Sequence, residues 1–132
     1  MIIILDTSAA VEIILQRQKG IALHRYIEDA DWIMAPGLFI AEVTNVFLKY
    51  YKFGDMSLEQ CEKAVEYAIA LPDEYSNDLI LYRESFSLGC LVGKPVYDMF
   101  YLVLARRNNG YLITLDKKLM NIAKDNSIRI IE

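Results

Sequence analysis

The chain opens with MIIILDTSAA (residues 1–10), in which an apolar, β-branched run ends abruptly at an aspartate. Residues 2–5 are typical of a buried parallel strand. Thr7 and Ser8 are good N-cap residues, so a helix should follow the strand directly. Asp6 therefore stands where a buried strand turns into a helix. A carboxylate there costs free energy unless something pairs with it.

The same arrangement recurs near the end of the chain, where YLITLD (residues 111–116) is again an apolar run that closes on an aspartate. Hydrophobic periodicity and turn residues predict strands at 2–5, 32–34, 111–115 and 128–131, and helices at 9–18, 21–29, 38–51, 58–71, 79–92, 97–108 and 117–125. The polar stretch 72–78 is expected to be a loop with at most a weak strand. This alternation predicts an α/β fold with a short, mainly parallel sheet flanked by helices. Ligands of such sheets bind beyond the carboxyl ends of the strands, so Asp6 and Asp116 should share one crevice.

Length and composition narrow the class of protein. A chain of 132 residues is expected to form a single domain, residues 1–132, and a net charge of -4 argues against a generally basic nucleic-acid binder. The hydrophobic share of 55% predicts that some surface is buried against a partner. No apolar run is long enough to span a membrane. Cys61 and Cys90 match no metal or redox motif, and we expect buried free thiols in a reducing cytoplasm.

Two further acids lie in apolar surroundings. Glu42 is in the middle of a predicted helix, and no lysine or arginine lies within four residues of it. Asp98 opens a helix that is apolar almost all round, and there the helix dipole favours a negative charge. Taken singly, each acid of the four can be explained as a cap, a helix-start residue or a surface group.

Taken together, Asp6, Glu42, Asp98 and Asp116 indicate a cation site. Oxygen ligands without a Cys or His motif favour Mg²⁺ or Mn²⁺ over zinc. The only histidine, His24, is in a polar part of a helix and is expected at the surface. An acidic site of this kind suits phosphoryl chemistry, in which the ion activates a water and stabilises the leaving oxygen.

Four segments, in order, resemble the PIN-domain ribonucleases, and in particular the single-domain VapC-type toxins. They are LDTSA (5–9), AEVTN (41–45), VYDMFYLVLA (96–105) and LITLDKKL (112–119). The resemblance covers nearly the whole chain, from Ile2 to Ile131. It implies a metal-dependent endoribonuclease whose acidic quartet is Asp6, Glu42, Asp98 and Asp116.

The resemblance also assigns finer roles. It implies Asp6, Asp98 and Asp116 as metal ligands, with Asp6 and Asp98 the most direct, and Thr114 and Ser8 as supporting hydroxyls. Two departures from the family pattern are Met99, where a small residue often follows the third acid, and the weak strand signal of 72–78.

The partners implied by the resemblance are an RNA substrate, an antitoxin that covers the groove, and a second copy of the chain in a homodimer. Basic side chains near the acids are candidates for phosphate contacts, although ordinary surface charge is the simpler interpretation of each: Lys49, Lys52, Lys94, Lys117 and Lys118. For the tyrosines, packing in the core or a dimer is favoured over base stacking.

Two other functions remain open from the sequence. The same fold could serve a housekeeping RNA-processing nuclease. A receiver-like, non-catalytic binding module also places aspartate at strand ends. Receivers need adjacent acids after the first strand, however, and here Thr7 and Ser8 follow Asp6.

Overall fold

The computed structural model describes all residues, 1–132, and contains one sheet of five parallel strands. The strands are β1 (Ile2–Leu5), β2 (Trp32–Pro36), β3 (Glu74–Ser76), β4 (Tyr111–Ile113) and β5 (Arg129–Ile130). Their order across the sheet is β3-β2-β1-β4-β5, and each neighbouring pair is parallel. The predicted α/β fold with a mainly parallel sheet is confirmed.

Seven α-helices surround the sheet: α1 (Thr7–Ile14), α2 (Gln18–Asp29), α3 (Leu38–Phe53), α4 (Leu58–Ala70), α5 (Tyr82–Val92), α6 (Val96–Arg107) and α7 (Lys117–Asp125). The most buried of them is α6, which packs against β1, β2 and β4. No single helix is long and apolar enough to cross a membrane; α5 and α6 pass that test only as a pair, with a 115° bend between them.

The strand order creates a topological switch point between β1 and β4. From β1 the chain moves outward to β2 and β3, and it then returns to the other side of β1 to form β4 and β5. Leu5 pairs with Ile113 at the carboxyl ends of the two central strands. Asp6 and Thr114 are the next residues along each strand, so both lie in the crevice where open α/β sheets bind ligands.

The first helical region divides at a different place from the predicted one. We expected helices at 9–18 and 21–29, but the break lies around Gln16, whose φ of 54° is left-handed. Gly20 lies inside α2, not between helices. A β-carbon at Gly20 would lie 2.0 Å from the backbone oxygen of Glu12, so glycine here permits close packing of α1 and α2.

Residues 72–78 were expected to be a loop with at most a weak strand, and they contain the short strand β3, which pairs with β2 at the sheet edge. The helix boundary that follows was wrong. The next helix was expected from residue 79, but a 3₁₀ turn at Asp78–Ile80 comes first and α5 begins at Tyr82. The Asn77 side chain accepts a hydrogen bond from the Leu79 amide and stabilises this turn.

The two cysteines differ in exposure. Both are free thiols, as expected, and Cys61 is buried on the inner face of α4. Cys90 is exposed, so the prediction that it is buried was wrong. The error arises because α5 is amphipathic, and the periodicity around Cys90 does not identify which helix face meets the core.

Candidate active site

Asp6 is the buried centre of the crevice, with only 6% of its surface exposed. Its Oδ1 accepts hydrogen bonds from Ser8 Oγ at 2.6 Å and from the Ala9 amide at 3.1 Å. Its Oδ2 accepts one from Thr114 Oγ1 at 2.5 Å. The Ala9 contact makes Asp6 the N-cap of α1, so the same side chain ends the strand and begins the helix.

The hydroxyls of Ser8 and Thr114 join the ends of the two central strands. Ser8 Oγ accepts a hydrogen bond from the Leu115 amide at 2.9 Å, and Thr114 Oγ1 accepts one from the Asp116 amide at 3.1 Å. These side-chain bonds replace sheet pairing beyond Ile113. For that reason β4 is shorter than the predicted strand 111–115.

Glu42 is half-buried in the second turn of α3 and is held by two hydroxyls. Its Oε1 accepts a hydrogen bond from Tyr101 at 2.5 Å and another from Thr7 at 3.2 Å. The two hydroxyls are also 3.2 Å from each other. Three helices, α1, α3 and α6, therefore meet at one carboxylate oxygen.

The remaining two acids are more open. Asp98 is half-buried in the first turn of α6; its side chain accepts no hydrogen bond and is affected by the charge of another carboxylate. Asp116 is exposed and caps α7, with Oδ1 accepting from the amides of Lys118 at 2.9 Å and Leu119 at 3.3 Å. Met99, the departure from the family pattern, is fully buried in the core.

The four carboxylates form a chain of mutually repelling charges. Burial raises the pKa of Asp6 to about 6, although hydrogen bonds from Ser8, Thr114 and Ala9 oppose this, and the charge of Glu42 raises it further. Burial also raises the pKa of Glu42, with a smaller contribution from Asp98. Burial and then the charge of Asp116 raise the pKa of Asp98. The repulsion therefore runs from Asp6 through Glu42 and Asp98 to Asp116.

No lysine or arginine forms an ion pair with any of these four acids. The donors in the crevice are carboxylate and hydroxyl oxygens, which suit a hard divalent cation. No three acidic, histidine or cysteine side chains converge as ligands of one ion. Mg²⁺ commonly uses one or two carboxylates and completes its shell with waters and substrate phosphates, so this donor set fits a partly hydrated ion.

Three polar residues of the crevice were not identified as site residues from the sequence: Thr7, Tyr101 and Asp78. Thr7 directly follows Asp6, and Tyr101 lies one helical turn after Asp98. Both could therefore have been predicted as site residues from their spacing to an acid. No local pattern pointed to Asp78, because its position in the crevice depends on the pairing of β3. Its charge raises the pKa of Glu42, and its Oδ1 is buried without a hydrogen bond.

Basic side chains occur along a groove that begins at the crevice. A cavity of about 690 Å³ extends from Thr7 and Ser8 to Arg17 and Lys19. A second one, of about 300 Å³, includes Lys49 and shares Val46 with the first. Arg17 is paired with Glu12 at 2.8 Å, whereas Lys19 and Lys49 have no acidic partner.

Of the other basic candidates, Lys117 and Lys118 are exposed directly beside Asp116. Lys94 is exposed just before α6, and Lys52 is exposed in the last turn of α3. His24 is exposed on α2, as predicted, and its ion-pair contact there is with Glu28, not with any of the four acids of the crevice. Tyr101 is 2% exposed and belongs to the core, whereas Tyr97 is largely exposed.

Residues 3–125 match the family model of the PIN domain, and this range includes all four acids. The chain belongs to the PIN-domain family. Among curated proteins it is similar to Ribonuclease VapC3 of Pyrobaculum aerophilum, with 26% identity over 123 residues that cover 90% of this chain and 92% of the relative.

Solved structures show the same PIN fold. A crystal structure of a protein from Pyrobaculum aerophilum matches with a TM-score of 0.76 and 19% identity, over 97% of this chain and 81% of that one. The structure of VapBC-1 from nontypeable Haemophilus influenzae matches with a TM-score of 0.66 and 21% identity, over 100% and 98% of the respective chains.

The burial of Asp6 predicts a pH-dependent stability. Its folded-state pKa of about 6 lies above the ordinary aspartate pKa of 3.8, so the folded state holds the proton more tightly. The resulting stability is present below about pH 4 and is lost as pH rises through about 6. Without divalent ions, Asp6→Asn should therefore be more stable than the parent at about pH 7, by about 2–3 kcal/mol, and the gain should shrink towards about pH 4.

Urea unfolding in the presence of a chelator, repeated across this pH range, measures the effect. Asp29→Asn, on the exposed surface of α2, is the matched control and should follow the parent. If Asp6→Asn also follows the parent at every pH, Asp6 is not a destabilising buried charge.

Proposed function

We propose that this PIN-domain protein is a Mg²⁺- or Mn²⁺-dependent endoribonuclease whose catalytic acids are Asp6, Glu42, Asp98 and Asp116. The observation that carries the proposal is the chain of repelling carboxylates at the switch point, without a protein cation to neutralise it. Such a site is costly for the fold and is understandable if it binds an external cation. The similarity to a protein named as a ribonuclease supports RNA as the substrate.

In this proposal Asp6 and Asp98 are the direct ligands of the ion, Asp116 acts on it through a bound water, and Ser8 and Thr114 hold Asp6. When bound, Mg²⁺ or Mn²⁺ activates a water and neutralises charge on the leaving oxygen of the phosphodiester. Asp6 needs no reorientation, because hydrogen bonds already occupy both of its oxygens. Glu42 Oε2 accepts no hydrogen bond from the protein and is available to a water beside the scissile phosphate.

The bound RNA strand is proposed to extend from the four acids along the groove that is lined by Lys19 and Lys49. The wall of this groove includes apolar side chains such as Val46 and Phe53. Unpaired lysines next to an apolar wall can contact phosphates while bases lie against the wall. Lys117 and Lys118 are exposed beside Asp116 and are proposed to contact the RNA phosphates on that side.

We propose a toxin role, with a homodimer and a cognate antitoxin as partners, in a reducing cytoplasm. The similarity to a VapC protein and to a VapBC structure supports the partner proposal. The exposed apolar side chains of the 3₁₀ turn and α5 supply surface for a partner: Leu79 is 75% exposed, Ile80 58% and Phe86 67%.

The nuclease proposal predicts that Asp6→Asn and Asp98→Asn each lower the rate of Mg²⁺-dependent RNA cleavage by about 100-fold or more, because each removes a negative ligand of the ion. Gel analysis of a labelled single-stranded RNA, with and without chelator, measures it. Asp125→Asn, at the end of α7, is the matched control and should cleave like the parent. Cleavage at the parent rate by both site variants would show that the acids are wrongly assigned.

The groove proposal predicts a change in salt dependence. In an Asp98→Asn background, chosen to prevent cleavage during the measurement, Lys19→Met or Lys49→Met should each reduce the slope of log K against log salt by about 0.7, the value for one phosphate contact on a single strand. Fluorescence anisotropy over a salt series measures this slope. Lys63→Met, whose lysine pairs with Glu59 on α4, is the control and should keep the parent slope. Unchanged slopes in both groove variants would place the strand elsewhere.

The toxin role predicts that expression of the chain alone arrests bacterial growth, and that the Asp98→Asn chain does not. Light scattering of the purified chain should give about twice the mass of 15.2 kDa if the dimer forms. Unimpaired growth with full nuclease activity would instead favour a housekeeping RNA-processing role.

A further inference from the structure

The hydroxyl of Tyr101 lies deep in the protein against a carboxylate. The tyrosine is 2% exposed, and its hydroxyl donates to Glu42 Oε1 at 2.5 Å. Tyr101 is three residues after Asp98 on α6, so the two side chains lie on neighbouring positions of the same helix face. The ring is part of the core, while the hydroxyl reaches the acidic crevice.

The hydroxyl of Tyr101 makes hydrogen-bond contacts with only two groups. Its two hydrogen-bond contacts are Glu42 Oε1 and Thr7 Oγ1, which itself donates to the same Oε1 at 3.2 Å. Both hydroxyls therefore act on one oxygen of Glu42, and Oε2 accepts no hydrogen bond from the protein. Asp6 is held by a separate set of donors, Ser8, Ala9 and Thr114.

A phenylalanine would fill the same core position without a buried polar group. A buried tyrosine hydroxyl needs a partner, and a hydrogen bond to a carboxylate is stronger than one to a neutral acceptor. The charge of Glu42, the group repelled by Asp98 and Asp78, also raises the pKa of Tyr101, after the larger effect of burial. The tyrosine consequently remains a proton donor towards Glu42.

We propose that Tyr101 is a positioning residue for Glu42. The buried phenol, assisted by Thr7, holds Oε1 and leaves Oε2 as the single oxygen of Glu42 that is open to the reacting water or phosphate. This inference rests on the proposed ribonuclease activity and adds a residue that is outside the acidic quartet and its supporting hydroxyls. The hydroxyl acts only through Glu42 and does not touch the substrate.

Removal of this one hydroxyl tests the proposal. Tyr101→Phe should lower kcat for RNA cleavage by about ten- to hundredfold, the range for loss of a hydrogen bond to a charged group, with KM within about twofold of the parent. Tyr75→Phe is the matched control: the Tyr75 hydroxyl donates to the Ile69 backbone oxygen at 2.6 Å, away from the acids. It should lose a similar amount of thermal stability and keep the parent kcat.

A double-mutant cycle distinguishes positioning from a purely structural role. If Tyr101 acts through Glu42, Tyr101→Phe should cause no further loss of kcat in the Glu42→Gln background. Thr7→Val should lower kcat in the same direction, and Thr7→Ser, which keeps the hydroxyl, should restore it. If Tyr101→Phe is unfolded at the assay temperature, the cycle between Thr7→Val and Glu42→Gln tests the same carboxylate contact.

Full kcat in Tyr101→Phe, or losses that multiply with those of Glu42→Gln, would overturn the positioning role. A parent protein that does not cleave RNA with either metal would overturn the proposed function first. The two failures are thus distinguishable in one set of assays.

Discussion

The carboxylate of Asp6 is buried where β1 ends, and the neighbouring elements are arranged to accommodate it. It caps α1, accepts hydroxyl bonds from Ser8 and Thr114, and through them ties the carboxyl end of β1 to that of β4. The hydrogen bonds lower its pKa, but burial outweighs them. The fold therefore retains a charge that it does not fully compensate.

This uncompensated charge connects stability with function. Natural folds usually pair a buried charge or replace it with an apolar group, because an unpaired one is destabilising. Here the charges that act on the site are those of further carboxylates: Glu42 on Asp6, Asp98 on Glu42 and Asp116 on Asp98. The cation that we propose would neutralise this repulsion, and functional sites are where local sequence rules are expected to be broken.

The two central acids, Asp6 and Glu42, are held differently. Asp6 is hydrogen-bonded at both oxygens, whereas Glu42 is held at one and left open at the other. The groups that impose this difference come from separate helices, α1 and α6, and from the end of β4. Orientation in the crevice therefore depends on packing between elements as well as on the local motif that contains Asp6, Ser8 and Ala9.

The local sequence determined the strands, most helices, the parallel sheet and the positions of Asp6 and Asp116 at strand ends, because apolar runs, periodicity and caps are encoded by neighbouring residues. It misplaced the α1–α2 break, indicated β3 only as a possible weak strand and wrongly buried Cys90, because these depend on the fit of Gly20 against α1, on pairing with β2 and on which face of α5 meets the core. Only the tertiary structure brought Tyr101 and Thr7 to Glu42, since contacts between residues 59 and 35 positions apart in the chain arise from packing.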